Sequence, residues 1–253
     1  MSLHDLKSQR LFITGSLQAG TSVVLERDGV NYLKNVLRMS PGDEILLFNG
    51  RDGEWRARIL ELGRRRAVLE PLEMTRAQDS GPDIDYLFAP LKRARLDYMV
   101  QKATELGVRR LRPVLTRRSI ADRVNLRRMH ANAVEAAEQC GILHIPDVEE
   151  PVKLAQLLAK WDERRRIIFC DEAAGQGDPI ATLQGLPSVS QQPVALALLI
   201  GPEGGFSPAE RALLRGKSFV TAIFLGPRIM RADTAAVAAL ALVNAVVGDW
   251  RGG

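Results

Sequence analysis

The sequence predicts an α/β protein in two parts, a small all-β barrel followed by a parallel sheet with helices on both faces. Three observations carry this. Between residues 10 and 72 short apolar runs are parted by turn residues; residues 73–83 are polar, contain Gly81-Pro82 and have no period; and from Asp85 strand runs alternate with helical patterns.

The first part offers strands at Arg10 to Thr14, Thr21 to Leu25, Glu44 to Phe48, Glu54 to Leu60 and Ala67 to Glu70. In Glu54 to Ile59 the alternation sends the charges outward and Trp55, Ala57 and Ile59 inward. Pro41-Gly42-Asp43 and Asn49 to Gly53 are turns. One helical pattern, Val30 to Arg38, puts Leu33, Val36 and Leu37 on one face and Lys34 and Arg38 on the other, free to meet phosphate or simply water. Residues 1–72 are thus read as the barrel, 73–83 as a linker and 84–253 as the second domain.

In that domain Tyr86 to Pro90 is a strand, and a helix runs from Arg95 to its stop at Gly107. Leu111 to Leu115, Arg166 to Asp171, Val194 to Ile200 and Thr221 to Leu225 are further strands, with a helix from Met129 to Cys140 and a last one from Ala235 to Val247. That last helix is apolar nearly all round, so something must bury it.

Bulk properties narrow the function. The chain of 253 residues is 46% hydrophobic, and Met1 to Lys7 lacks the apolar core of a signal peptide, so a cytoplasmic protein is expected. Cys140 and Cys170, widely spaced and without histidines beside them, support neither a disulfide framework nor a metal site. Net charge is +5, yet residues 91–130 hold twelve basic side chains against three acidic. Such a segment is the footprint of a polyanion partner or a solvated basic face.

The most informative stretch is Leu199-Ile-Gly-Pro-Glu-Gly-Gly-Phe-Ser-Pro-Ala-Glu210. A strand buried on both faces ends at Gly201, and Ser207-Pro208-Ala209-Glu210 reads as a capping box opening a helix. Gly201, Gly204 and Gly205 leave main-chain groups open to a ligand, or simply make a turn. A second stretch, Leu225-Gly-Pro-Arg-Ile-Met-Arg231, also follows a strand and feeds a helix that Asp233 or Thr234 can cap. Two Gly-Pro loops at the ends of what read as adjacent strands can clasp a small ligand, with Arg228 and Arg231 beside it. No lysine and hydroxyl follow the glycines, and no Gly-x-Gly-x-x-Gly turn is present, which excludes the usual nucleotide-phosphate grips. A non-catalytic RNA-binding protein accounts for the basic segment but not for the paired loops.

These two stretches, with Gln101 to Val108, Arg117-Arg-Ser119 and Glu135 to Gly141, resemble the RsmE family. Its members methylate N3 of uridine 1498 in 16S ribosomal RNA of the small subunit. The resemblance, from about Arg10 to Asp249, implies a PUA-like RNA-binding barrel and a SPOUT domain. In the latter, a C-terminal trefoil knot holds S-adenosylmethionine, and the protein is a homodimer. By position it implies cofactor contacts from Ile200, Gly201, Pro202, Glu203, Gly204 and Gly205, from Leu225, Gly226, Arg228, Ile229 and Met230, and from a third wall at Asp171. RNA contacts are implied at Arg10, Lys34, Arg38, Arg117 and Arg118. The chain departs from the family pattern at Asn31, Ile142 and Ala232-Asp233.

Methyl transfer needs the acceptor nitrogen aligned with the methyl carbon, and uracil N3 must lose a proton. Glu135, Glu138, Asp171 and Glu203 are the carboxylates near the motifs, none singled out as the base. Arg231 is the expected stabiliser of the uracil anion.

Overall fold

In the computed structural model, residues 8–121, 123–175, 177–186 and 195–252 are described. Contacts divide the chain into two units, one running up to Ser80 and including Ala137–Ile145, the other comprising Gly81–Ala136 and the chain from Pro146 onward.

The first unit is a five-stranded sheet: β1 (Arg10–Phe12), β2 (Val23–Leu25), β3 (Glu44–Phe48), β4 (Glu54–Leu62) and β5 (Ala67–Arg76), in the order β1-β3-β4-β5-β2. Leu11, Ile13, Leu33, Ile45, Leu47, Ala57, Ile59 and Leu69 make its core. Glu73 to Arg76 belong to β5 and not to a linker, paired with Glu54 to Arg56 across one register shift, with a second just past Arg56, and both break the alternation. Gly53 permits that approach, for a Cβ there would sit 2.4 Å from the Arg76 carbonyl.

The expected helix at 30–38 is a short α-helix, α1 (Arg27–Asn31), running into a π-helical turn at Tyr32–Val36. The wider turn keeps Leu33 inside but carries Val36 outward to 58% exposure, against the expected face. Arg38 closes it in the left-handed region, with φ 57°.

Arg10 and Glu54, both expected on the surface, are 5% and 2% exposed and bonded to each other at 3.0 Å. Thr75 Oγ1 also donates to Glu54, at 2.9 Å, and Arg76 lies 3.6 Å from it. Against this group packs 137–145: the Phe12 N–H donates to Glu138 Oε1, Arg76 to the Gly141 carbonyl, and a Cβ on Gly141 would lie 3.4 Å from the Arg10 guanidinium. Ile142 packs with Phe48, Ala137 and Leu143.

The second unit holds β6 (Ile84–Phe88), α2 (Arg93–Glu105), β7 (Arg110–Leu115), most of α3 (Leu126–Cys140), β8 (Asp147–Val148), β9 (Val152–Lys153) and α4 (Leu154–Ala159). Then follow β10 (Arg166–Cys170), α5 (Pro179–Gln184), β11 (Leu196–Ile200), α6 (Pro208–Arg215), β12 (Val220–Ile223) and α7 (Ala232–Val246). Val194, read as the start of β11, lies outside the described residues. All pairings are parallel, in the order β12-β10-β11-β6-β7-β8. β10 therefore separates the two strands that read as adjacent. After β12 at the sheet edge, α7 returns to pack on β11 and α2.

α7 starts three residues before the expected Ala235. Its N-cap is Arg231, through backbone geometry alone, while Asp233 lies in the first turn and accepts the Thr234 N–H. Neither Asp233 nor Thr234 is the cap.

Among the described residues, six of the twelve basic side chains in 91–130 are in ion pairs: Arg95, Lys102, Arg109, Arg110, Arg112 and Arg128. Arg110 and Arg112 neutralise Asp85, whose side chain is fully buried at the start of β6. Much of the apparent polyanion footprint is thus internal neutralisation.

A three-walled candidate cofactor site

The carboxyl ends of β10, β11 and β12 converge on a cavity of about 240 Å³. Its walls are Cys170 to Glu172, Ile200 to Phe206, and Phe224 to Met230 without Pro227, closed by Ala232 and Ala235 of α7. All twelve residues expected to bind cofactor, Asp171 among them, line it. The interposed β10 supplies the third wall, which two adjacent strands would have lacked.

The β11 wall is held from several sides. The Gly205 N–H closes a turn onto the Pro202 carbonyl at 2.8 Å, and Gly205 has φ 66°. Gly201 is fixed by packing, since a Cβ would meet the Phe206 ring at 2.5 Å. Phe206 is buried and stacks edge-on against Phe169 at 5.0 Å. Gly204 has ordinary room for a Cβ, 3.6 Å from the Arg118 side chain. Beyond the loop the expected capping box is present, Ser207 and Glu210 each bonding the other's backbone N–H. Burial raises the Glu210 pKa, but bonds from the Arg117 and Ser207 N–H groups and the Ser207 hydroxyl outweigh it and hold the carboxyl below its usual value.

Each carboxylate lining the cavity is engaged by an arginine. Glu203 Oε1 takes a bond of 2.6 Å from Arg95, and Glu172 pairs with Arg211. Asp171, with a fully buried side chain, meets Arg215 at 2.6 Å and Arg211 at 3.2 Å, and accepts the Ala173 N–H. Its carboxylate therefore organises the wall and is turned to α6. Of the other candidate bases, Glu138 is bonded to the Phe12 amide and Glu135 is exposed. Burial pushes the Cys170 thiol well above its ordinary pKa, so it stays protonated.

Arg95, Glu172, Arg211 and Arg215 were not anticipated. The four-residue step between the two α6 arginines puts both on one helix face, the one signal available in advance. Arg118 is exposed and donates to the Gly204 carbonyl at 2.7 Å, which makes it a support of the β11 loop; Arg117 is also exposed, its N–H on Glu210. Lys34 and Arg38 are exposed, whereas the buried Arg10 offers no surface to RNA. Arg231 is exposed and is not among the lining residues, though Met230 and Ala232 on either side are.

The site has the features that S-adenosylmethionine needs: glycines that bring main-chain groups to the surface, apolar Ile200, Leu225 and Met230, and a half-open shape. Among the described residues no group of three His, Cys, Asp or Glu is arranged to hold a metal ion.

Residues 79–244 match the RNA methyltransferase domain family, and residues 25–72 the RNA methyltransferase PUA domain family. A ribosomal RNA small subunit methyltransferase E from Rickettsia conorii is 30% identical over 240 residues, 94% of this chain and 96% of that protein. The chain belongs to the ribosomal RNA small subunit methyltransferase E family. Another methyltransferase E, from Neisseria gonorrhoeae, was solved bound to S-adenosyl methionine; it superposes with TM-score 0.85 at 28% identity, over 96% of this chain and 99% of that one. A Legionella pneumophila putative methyltransferase with bound SAM gives 0.83 at 30% identity, again over 96% and 99%. The three-walled cavity of this methyltransferase E family member thus lies in a fold that both of these relatives show with that cofactor bound.

Proposed function

We propose that the protein transfers a methyl group from S-adenosylmethionine to N3 of uridine 1498 of 16S ribosomal RNA, in the cytoplasm. The observation that carries the cofactor is the cavity at the ends of β10, β11 and β12, framed by glycine loops and lined by the apolar Ile200, Leu225 and Met230. Membership of the methyltransferase E family carries the ribosomal substrate, and the choice of nucleotide follows the resemblance in the sequence motifs.

When bound, the cofactor supplies an electrophilic methyl group. Ile200 to Gly205 and Leu225 to Met230 orient it, and Asp171, locked by Arg211 and Arg215, sets the third wall. Because Asp171, Glu172 and Glu203 are all neutralised by arginines, none is a free base. We assign Arg231 to stabilising the uracil anion, with the N3 proton leaving to solvent. It stands between two lining residues, its side chain exposed where RNA would arrive.

We propose the first unit, up to Ser80 with Ala137–Ile145, as the RNA-binding domain, with Lys34 and Arg38 on its RNA face, the second unit as the methyltransferase domain, and Arg117 as an RNA contact. We also propose a homodimer. On α7, Ala238, Ala241 and Leu242 are half-buried and Ala245 exposed, an apolar stripe that a second copy would cover.

Primer extension on ribosomal RNA from a strain lacking the gene tests the reaction: the stop at the methylated uridine should be lost and should return with the wild-type protein. Arg231→Ala should restore little of it while calorimetric affinity for S-adenosylmethionine stays near wild type. Equal losses of methylation and cofactor affinity would remove Arg231 from the chemistry.

A further inference from the structure

β4 and β5 are joined by Gly63-Arg64-Arg65-Arg66, closed by the Gly63 N–H on the Arg66 carbonyl at 2.9 Å. All three arginines are exposed. Three like charges in successive residues repel one another, and among the described residues no carboxylate lies within ion-pair distance of any of them. The remaining arginines of this sheet are treated differently. Arg56 and Arg58 are paired with Glu73 and Glu44, and Arg10 and Arg76 with Glu54. The first unit thus neutralises the cations on its strands and leaves those at the hairpin tip uncompensated.

The segment between β2 and β3 leaves and re-enters the sheet toward the same end. Leu25 pairs with Ala67, so β2 leaves the sheet beside the tip and runs into α1. The Gly42 N–H bonds the Ile59 carbonyl, and Glu44 pairs with Arg58, so the chain re-enters at that end after the π-helical turn. Arg38 lies on this excursion, exposed, with no carboxylate within ion-pair distance among the described residues. It is also the one described non-glycine residue with positive φ, at 57°. Glycine or asparagine would occupy that conformation with less strain. Strain kept at an exposed arginine points to a side chain in use. Glu26, Asp28 and Glu61 lie nearby in the chain, all exposed.

We propose that Arg64, Arg65 and Arg66, with Arg38, form a phosphodiester-binding site for substrate RNA, separate from the cavity where the methyl group is transferred. The tip carries guanidinium forks and no aromatic side chain, so it grips backbone phosphates and reads no base. It falls within residues 25–72, matched to an RNA methyltransferase PUA domain. The assignment rests on the RNA-methyltransferase reading above.

The test uses the full-length protein and a labelled 16S ribosomal RNA transcript, titrated between about 50 and 200 mM salt. Arg64→Ala/Arg65→Ala/Arg66→Ala should weaken RNA binding about tenfold or more and flatten the log Kd against log salt slope by about two, with affinity for S-adenosylmethionine unchanged. The triple lysine variant should keep most of the slope. Arg38→Gly should bind RNA several-fold more weakly with a Tm equal to or above wild type, because glycine relieves the strain. Unchanged RNA affinity and slope in the triple alanine variant would overturn the site, and a lower Tm for Arg38→Gly would remove the argument from strain. Wild-type protein that binds S-adenosylmethionine but not the transcript would instead overturn the RNA reading beneath it.

Discussion

Arg10 shows how far one side chain's meaning depends on its neighbours. From position it reads as an RNA contact, yet it is bonded to Glu54 inside the first unit, with Arg76 and Thr75 completing the network. Removing one partner of a buried pair strands the other charge. Arg10→Ala should therefore cost about 3–5 kcal/mol of stability, seen as a lower midpoint in urea unfolding, while RNA affinity of the remaining folded protein changes little. A variant of wild-type stability that had lost RNA binding would restore the surface reading. Arg10 and Glu54, each taken alone, belong outside, and only pairing across 44 positions lets both be buried. Gly201 and Gly205 were legible for the opposite reason, because a short glycine-rich turn declares its backbone needs locally.

At the scale of elements, α6 does more than follow the β11 loop. Its first turn is capped by Ser207, Glu210 reaches the Arg117 N–H, and its last turn sends Arg215 to Asp171 and to the Ala173 carbonyl. The helix is a brace between two walls of the cavity. Arg215→Ala should free the β10 wall and raise the Kd for S-adenosylmethionine roughly tenfold, about 1.4 kcal/mol, with partial recovery in Arg215→Lys. A loss of Tm with unchanged cofactor affinity would make the brace merely structural. The capping box was readable because its signal spans four residues. The π-helical turn at Tyr32–Val36 was not, because a widened turn leaves the apolar pattern looking like an ordinary helix. The end of β5 was hidden likewise, its alternation broken by irregularities in register with β4.

For the whole molecule, the decisive feature is the order of strands, since β10 between β11 and β12 turns two loops into three walls. The apolar α7 buries one face on β11 and α2, and its other stripe carries the dimer proposal. Ala241→Glu should convert a dimer to a folded monomer in sedimentation velocity at unchanged helical circular dichroism; a wild-type monomer would refute the proposal. By itself the sequence determined the class of each half, the parallel α/β alternation, the capped helix after Ser207 and the backbone that lines the three-walled cavity. These rest on periodicities and turn chemistry within a few residues of one another. Only the tertiary structure decided that β10 stands between the glycine loops, that half the basic segment is neutralised internally, that Arg10 is buried, and that residues 137–145 join the first unit. Each of those depends on which distant segments meet, and pairing between strands and between charges far apart in the chain leaves no local period to read.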